Sequence, residues 1–419
     1  MSAILDKLLK GQNVEWLRIA EVGELVRGNG LQKSDFTESG VPAIHYGQIY
    51  TFYGNFTTET KSFVSPELAE KLRKVNKGDV VITNTSENLE DVGKALLYLG
   101  EKQAVTGGHA TIFRPGEKIL GKYFVYFTQS DFFASEKRKY AKGTKVIDVS
   151  ATDMAKILIP IPPLDVQAEI VRILDAFTAV TAELTAELTA ELNMREKQYQ
   201  YYRDKLLSFS EAGIETDSNR QQQTALCEGL ANNVKQNHQI IWKSLGEIVD
   251  YEQPTKYLVK STTYDDNFET PVLTAGKTFI LGYTDETHGI YKASINPVII
   301  FDDFTTANKW VDFDFKAKSS AMKILTSKNE NKFLLKFVYY WLNHLPLEES
   351  TDHERQWISN FSNKKIPIPA VEVQKHIVEI LDKFEALTHS ITEGLPKEIT
   401  LRKQQYEYYR EQLLDFPKN

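Results

Sequence analysis

Part of this chain is written twice, and that repeat limits what it can fold into more than any other feature. Ile159-Pro160-Ile161-Pro162 returns as Ile366-Pro367-Ile368-Pro369, and from there the copies stay in register, 207 residues apart and without a gap, for about 50 residues. Val166-Gln167 matches Val373-Gln374, Ile173-Leu174-Asp175 matches Ile380-Leu381-Asp382, and Phe177 matches Phe384. Tyr199, Tyr201-Tyr202-Arg203, Leu206-Leu207 and Phe209 match Tyr406, Tyr408-Tyr409-Arg410, Leu413-Leu414 and Phe416. In the first copy Ile170, Leu174, Phe177, Leu184, Leu188, Leu192, Tyr199, Tyr202, Leu206 and Phe209 recur at steps of three, four and seven, one apolar stripe on a helix. The prolines ahead of each copy force an extended approach and suit a helix start. A helix of about 45 residues runs roughly 65–70 Å and cannot bury its stripe on itself. The two copies are therefore expected to pair as an antiparallel coiled coil. Gly394-Leu395-Pro396 predicts a kink or break in the second.

Each helix follows a globular segment, and these repeat more faintly. Trp16 to Val22 resembles Trp242 to Ile248, Pro42-Ala43-Ile44 with Gly47 parallels Pro271-Val272-Leu273 with Gly276, and Val80-Val81-Ile82 parallels Val298-Ile299-Ile300. Short β-branched and aromatic runs broken by Gly and Asn, with helical pattern over Gly121 to Ser130 and Phe333 to Asn343, predict a mixed domain around a twisted sheet. The expected class is α+β, two α/β domains alternating with two long helices as a pseudo-twofold repeat. The expected boundaries are 1–160 for the N-terminal segment and first domain and 161–210 for the central helix. A linker is expected over 211–239, the second domain over 240–369 and the C-terminal helix over 370–419.

Composition removes several classes. No run approaches 18 uncharged apolar residues, so no membrane span is expected. Asp6, Lys7 and Lys10 interrupt the N-terminus, which lacks a signal-peptide core, and the expected compartment is the cytoplasm. Cys227 is the only cysteine and the eight histidines form no ligand pair, so neither an intrachain disulfide nor a metal site is expected. A net charge of −7 argues against nucleic-acid binding if taken alone, but much of the acid lies in one helix, at Glu169, Glu183, Glu187, Glu191 and Glu196.

This layout resembles the specificity subunits of type I restriction–modification systems over nearly the whole chain. The residues that carry the resemblance are the paired Ile-Pro-Ile-Pro entries, Gln167 and Gln374, the Ile-Leu-Asp after each, and the Gln-Tyr-x-Tyr-Tyr-Arg ends. Three tandem Thr-Ala-Glu-Leu units from Thr181 to Leu192 add to it, since such repeats occur in the central helix of one subgroup. The resemblance implies that each domain recognises one half of a split double-stranded DNA target. The helices would be rulers and docking surfaces for two methylation subunits, which carry S-adenosylmethionine and modify adenine N6. Restriction subunits would add ATP- and magnesium-dependent cleavage. This chain would bind no cofactor and catalyse nothing. A tetrapeptide adds about 6 Å of helix and turns its face about 40° beyond one turn. A base pair of DNA advances by a similar rotation, roughly 34–36°, which suggests one repeat per base pair of spacer.

The residues expected at DNA are polar, basic and aromatic loop residues. In the first half they are His45, Gln48, Asn84, Thr85, Ser86, Lys94, Thr106 and His109, with the basic run Lys137, Arg138, Lys139, Lys142 and Lys145. In the second half they are Lys277, Thr305, Thr306, Asn308, Lys309, Trp310, Lys316, Lys318, Ser319, Arg355 and Gln356. Asn and Gln can read adenine, and Arg or Lys guanine, through paired hydrogen bonds, while cations serve phosphates. Tyr201, Arg203, Tyr408 and Arg410 lie off the apolar stripe and are expected to dock a methylation subunit. Ala275-Gly276-Lys277-Thr278 lacks the glycine of a phosphate loop, that position being Pro271. Asp302-Asp303 has no supporting ligand pattern and is expected in a surface turn, and no adenine-methyltransferase motif is present. A coiled-coil scaffold that binds only proteins, or an enzyme with a degenerate site, remain alternatives at this point.

Overall fold

The computed structural model describes residues 2–209, 240–274, 278–345, 355–390 and 393–417. The expected linker at 211–239 and Lys277 lie outside them. The chain divides into two compact units, Met1–Glu187 with Ile399–Asn419, and Leu188–Glu398. Each unit therefore holds one globular domain, the start of the helix that follows it and the end of the other helix. The first long helix is continuous from Leu164 to Leu207, 44 residues. Its counterpart is broken, as the Gly-Leu-Pro sequence predicts. One helix spans Val371–His389 and the next spans Gly394–Leu414, with Pro396 in its first turn, where its missing N–H costs nothing.

The Ile-Pro-Ile-Pro segments are strands. Leu158–Ile161 pairs antiparallel with Glu15–Arg18, so that Trp16 faces Pro160, and Lys365–Ile368 pairs with Ile241–Ser244, so that Trp242 faces Pro367. These ribbons have two strands each. Proline is tolerated there because no further strand needs its N–H.

Where the sequence predicts one sheet per domain, the structure has two larger ones in each. In the first unit one five-stranded sheet runs Gly23–Arg27, Ala110–Pro115, Val80–Thr83, Ala95–Tyr98, Phe56–Thr57, and another runs Phe36–Thr37, Ser62–Val64, Val41–Ile44, Ala104–Thr106, Arg73–Val75. The second unit has a four-stranded sheet, Val249–Glu252, Met322–Ser327, Val298–Asp302, Asn308–Val311, and a three-stranded one, Ile280–Thr284, Thr270–Leu273, Lys316–Ala317. The cause is visible in the central strands, which are apolar on both faces and must be covered on both. Val80 and Ile82 pack among helices while Val81 joins the core that includes Ile44 and Val75 of the second sheet. Ile299 and Phe301 face the helices of their unit, and Val298 and Ile300 face Leu273 and Ala317.

The junction between domain and helix is built identically in both units. Gln167 is fully buried at the start of its helix; its Nε2 donates to Lys118 O (2.9 Å) and Pro162 O (2.8 Å), and its Oε1 accepts from Leu120 N (2.9 Å). Gln374 is equally buried and makes the same three bonds, to Lys332 O (2.9 Å), Pro369 O (2.8 Å) and Leu334 N (2.9 Å). Each amide thus satisfies the backbone ahead of a helix, Gly121–Phe127 in one unit and Leu335–His344 in the other. About two turns on, Lys122 and Tyr126 bind Asp175 (2.7 and 2.8 Å), and Lys336 and Tyr340 bind Asp382. Beyond that, Phe177 stacks on Tyr409 with centroids 5.1 Å apart, and its counterpart Phe384 stacks on Tyr202 at 5.5 Å.

Candidate nucleic-acid interface

In each unit the strand that leaves the central sheet runs straight into a polar turn, and the segment preceding the Ile-Pro-Ile-Pro strand meets it there. In the first unit Thr85–Ser86 pairs antiparallel with Ile147–Asp148, and Val149 N donates to Asn84 O (2.9 Å). In the second, Gln356 N donates to Asp303 O (2.8 Å) and Trp357 N to Asp303 Oδ1 (2.9 Å). The two loop pairs brought together, 84–94 with 142–149 and 302–309 with 355–357, carry many of the residues expected at DNA.

Burial sorts those residues. In the first unit Thr85 Oγ1 lies 2.9 Å from His109 Nδ1, and Tyr46 packs between His109 (4.9 Å) and His45 (4.5 Å). Burial, then Lys33 and His109, hold the His45 imidazole below its ordinary pKa and so favour the neutral ring. Its Nδ1 accepts from Gly47 N (3.2 Å). His109, Lys94, Arg138, Lys139, Lys142 and Lys145 are exposed. Of these, Lys94 pairs with Asp91 (2.9 Å), Lys139 with Glu136 (2.6 Å) and Lys142 with Asp153 (3.2 Å). Tyr46, which sequence reasoning missed, is the ring that joins the two histidines; its signal was the run His45-Tyr46-Gly47-Gln48-Ile49-Tyr50.

Several expectations are corrected because the side chain is buried in the fold or held within it. Asn84 is fully buried, accepting from Thr111 Oγ1 (2.8 Å), and Thr106 is fully buried, donating to Ile44 O (2.8 Å). Ser86 is buried, and Gln48 is held by Ser62 (2.6 Å). Lys137 is no phosphate contact. It is 5% exposed, donates to Glu90 O (3.1 Å) and Val92 O (2.6 Å), and its burial pulls its pKa down to about 8.

In the second unit Thr305, Lys309, Lys318 and Arg355 are exposed, with Asn308, Ser319 and Gln356 half-buried beside them. Thr306 is buried at φ 60°, closing the turn. Asp302 ends its strand and Asp303 opens the turn that follows, as expected, but both side chains are buried: Asp302 accepts from Phe304 N (3.0 Å) and Thr305 Oγ1 (2.6 Å), and Asp303 pairs with fully buried Lys323 at 3.2 Å. Lys316 is 2% exposed and turned inward to His288 O (2.6 Å) and Glu286 (3.0 Å). Trp310 lies against the helix junction, 4.5 Å beneath the Lys336 ammonium, and is withdrawn from the loops.

Of the docking candidates, Tyr201 and Tyr408 are 49% and 60% exposed. Arg203 is engaged by Asp204 (2.9 Å). Arg410 is corrected, since its side chain is 14% exposed and held by Glu411 at 3.0 Å. In the first unit an open cleft of about 1290 Å³ is lined by Lys94 and Arg138 together with Tyr408, Arg410 and Glu407. No helix among the described residues is long and apolar enough to cross a membrane.

The chain builds one helix–domain junction twice and presents different loops on each copy, which defines a protein made of two mixed α/β domains in an internal repeat. It belongs to the type I restriction–modification DNA specificity family, whose model matches residues 12–194 and 241–401. It is 65% identical over 186 residues to the EcoR124I/EcoR124II type I restriction enzyme specificity subunit of Escherichia coli, a stretch covering 42% of this chain and 45% of that protein. It is 31% identical over 434 aligned residues to a Haemophilus influenzae protein assigned as a type I restriction enzyme specificity subunit, covering 98% of each. A solved chain from a study of complex assembly and conformational transition of the type I restriction–modification system shares the fold. Its TM-score is 0.60 at 16% identity, with 96% of this chain and 98% of that one covered.

Proposed function

We propose that this chain selects the DNA site for a type I restriction–modification enzyme, each domain reading one half of a split target. The observation that carries this is the doubled loop pair, which recurs in each unit alongside a Gln-centred junction of the same build and bears exposed cations, with hydroxyl, imidazole and amide groups beside them. Two like readers at a fixed separation meet two half-sites with untouched base pairs between them. The helices pair as an antiparallel coiled coil that sets this separation; the stacks of Phe177 on Tyr409 and Phe384 on Tyr202 support that pairing. The Thr-Ala-Glu-Leu units from Thr181 to Leu192 support membership of the subgroup with such repeats in its central helix, where they act as a ruler. Tyr201 and Tyr408, exposed at equivalent positions, dock two methylation subunits. The chain itself is noncatalytic and works in the cytoplasm. Methylation subunits supply S-adenosylmethionine, and restriction subunits use ATP and magnesium.

Co-expression with the neighbouring methylation subunit, followed by single-molecule sequencing of the modified DNA, tests this. A split motif with a fixed spacer is expected, and deletion of one tetrapeptide from Thr181–Leu192 should shorten that spacer by one base pair. A full complex without any methylation motif overturns the reading, and an unchanged spacer overturns the ruler.

A further inference from the structure

Phe304 is a large apolar side chain held out at the tip of the turn that joins strands Val298–Asp302 and Asn308–Val311, 38% exposed. Scattered exposed apolar residues are ordinary on any protein. Phe304 differs in how firmly its backbone is fixed. Asp302 Oδ1 accepts from Phe304 N itself (3.0 Å), and Asp302 Oδ2 accepts from the next side chain, Thr305 (2.6 Å). Thr306 closes the turn in the left-handed region, its N–H donating to Asp302 O (2.9 Å). Beneath the turn, Asp303 binds both Lys323 and Trp357 N, in a pocket where Asp303 is 1% and Lys323 0% exposed. The loop that meets this turn carries a second exposed apolar side chain, Ile358, next to buried Trp357. Lys309 and Arg355, both exposed, belong to the same pair of loops.

A buried charge pair is a costly way to hold a surface turn. A side chain fixed in this way has given up its freedom before anything binds, which lowers the entropy cost of contact. Cations around an apolar tip fit a polyanion that presents an apolar group between its phosphates. In duplex DNA the major groove offers one such group, the C5-methyl of thymine. The corresponding stretch of the first domain carries Thr85 and Ser86, both buried, and has no such tip.

We propose that Phe304 is a specificity-determining residue of the second domain, reading a thymine methyl in its half-site by apolar contact. This rests on the DNA-reading function proposed above.

The test is a cycle of protein and DNA changes in the complex assembled with its methylation subunits. Duplexes carry the mapped motif, with each thymine of the second half-site replaced in turn by deoxyuridine, which removes only the methyl. At one position the wild-type complex should bind about fourfold more weakly, the effect of one buried methyl group. Phe304→Ala should weaken binding to the thymine duplex and show no further loss with deoxyuridine at that position, while Phe304→Leu keeps most of the discrimination. Denaturant unfolding unchanged from wild type confirms that the second domain of each variant is folded. The proposal is overturned by a second half-site without an A·T pair, by binding within twofold at every deoxyuridine position, or by an equal loss in Phe304→Ala. Impaired subunit assembly in Phe304→Ala with the deoxyuridine response intact would place Phe304 at a protein contact and also overturns it. If wild type fails to prefer the motif over a scrambled duplex, the DNA-reading function itself falls.

Discussion

The two domains agree where they grip their helices and differ where they face outward. At the grip, Gln167 and Gln374 make the same three bonds at the same distances, and each is followed by a Lys-Tyr pair on an aspartate. At the outward loops nothing repeats but the position. The first domain fixes its turn with Thr85 against His109, Asn84 against Thr111 and the buried Lys137 on two loop carbonyls, whereas the second uses the buried pair Asp303–Lys323. A junction between a helix and a domain tolerates one geometry, because misplaced backbone groups there would be buried without partners. A reading loop needs only to be held still, and chemistry as different as a hydroxyl–imidazole contact and an ion pair can do that.

The largest effect should come from the ion pair. Lys323→Met leaves Asp303 buried and uncompensated, which should destabilise the second domain by about 3–5 kcal/mol, while Lys323→Met with Asp303→Asn recovers most of it. Denaturant unfolding of the purified chain or complex measures both. If the single variant unfolds like wild type, the second loop is not held from beneath and the contrast with the first is lost. Next in size are Gln167→Ala and Gln374→Ala. Each strands the backbone groups its amide satisfied and should cost about 2–3 kcal/mol. The comparison requires the two losses to match. A junction that responds on one side alone would show that the repeated geometry is not repeated energetics.

The junction was the most legible part of the sequence and the loops the least. Gln167 and Gln374 stand out from the repeat alone, because both copies keep them within an unbroken register. The helical patterns over Gly121 to Ser130 and Phe333 to Asn343 mark the helices they hold. The second sheet of each domain was hidden because strands such as Phe36–Thr37 and Lys316–Ala317 have two residues, too few to show alternation. The loop residues failed for another reason. Whether Asn84, Thr106, Lys137 or Lys316 meets solvent is decided by what packs over it, which local composition does not record. Two clues were present all the same. Lys137 lies four residues after Phe133 on one helix, and so shares its buried face, and Lys316 sits between Phe315 and Ala317, both fully buried.

Lys137 allows the finest comparison, because it is a buried lysine that faces carbonyls, whereas Lys323 faces a carboxylate. With a folded pKa of about 8 against an ordinary 10.5, the folded chain gives up this proton near pH 8 and the unfolded chain holds it to about 10.5. Between those values the unfolded state binds more protons, so this residue's contribution to stability rises with pH. Deprotonation breaks neither bond, since a neutral amine keeps two N–H groups for the two acceptors, Glu90 O and Val92 O. Wild type should therefore gain stability relative to Lys137→Met between pH 7 and pH 9.5, read as the change in the difference between their urea midpoints. A difference that stays constant across that range would mean that the ammonium is well solvated, and that the loop at 84–94 is not held from within by Lys137.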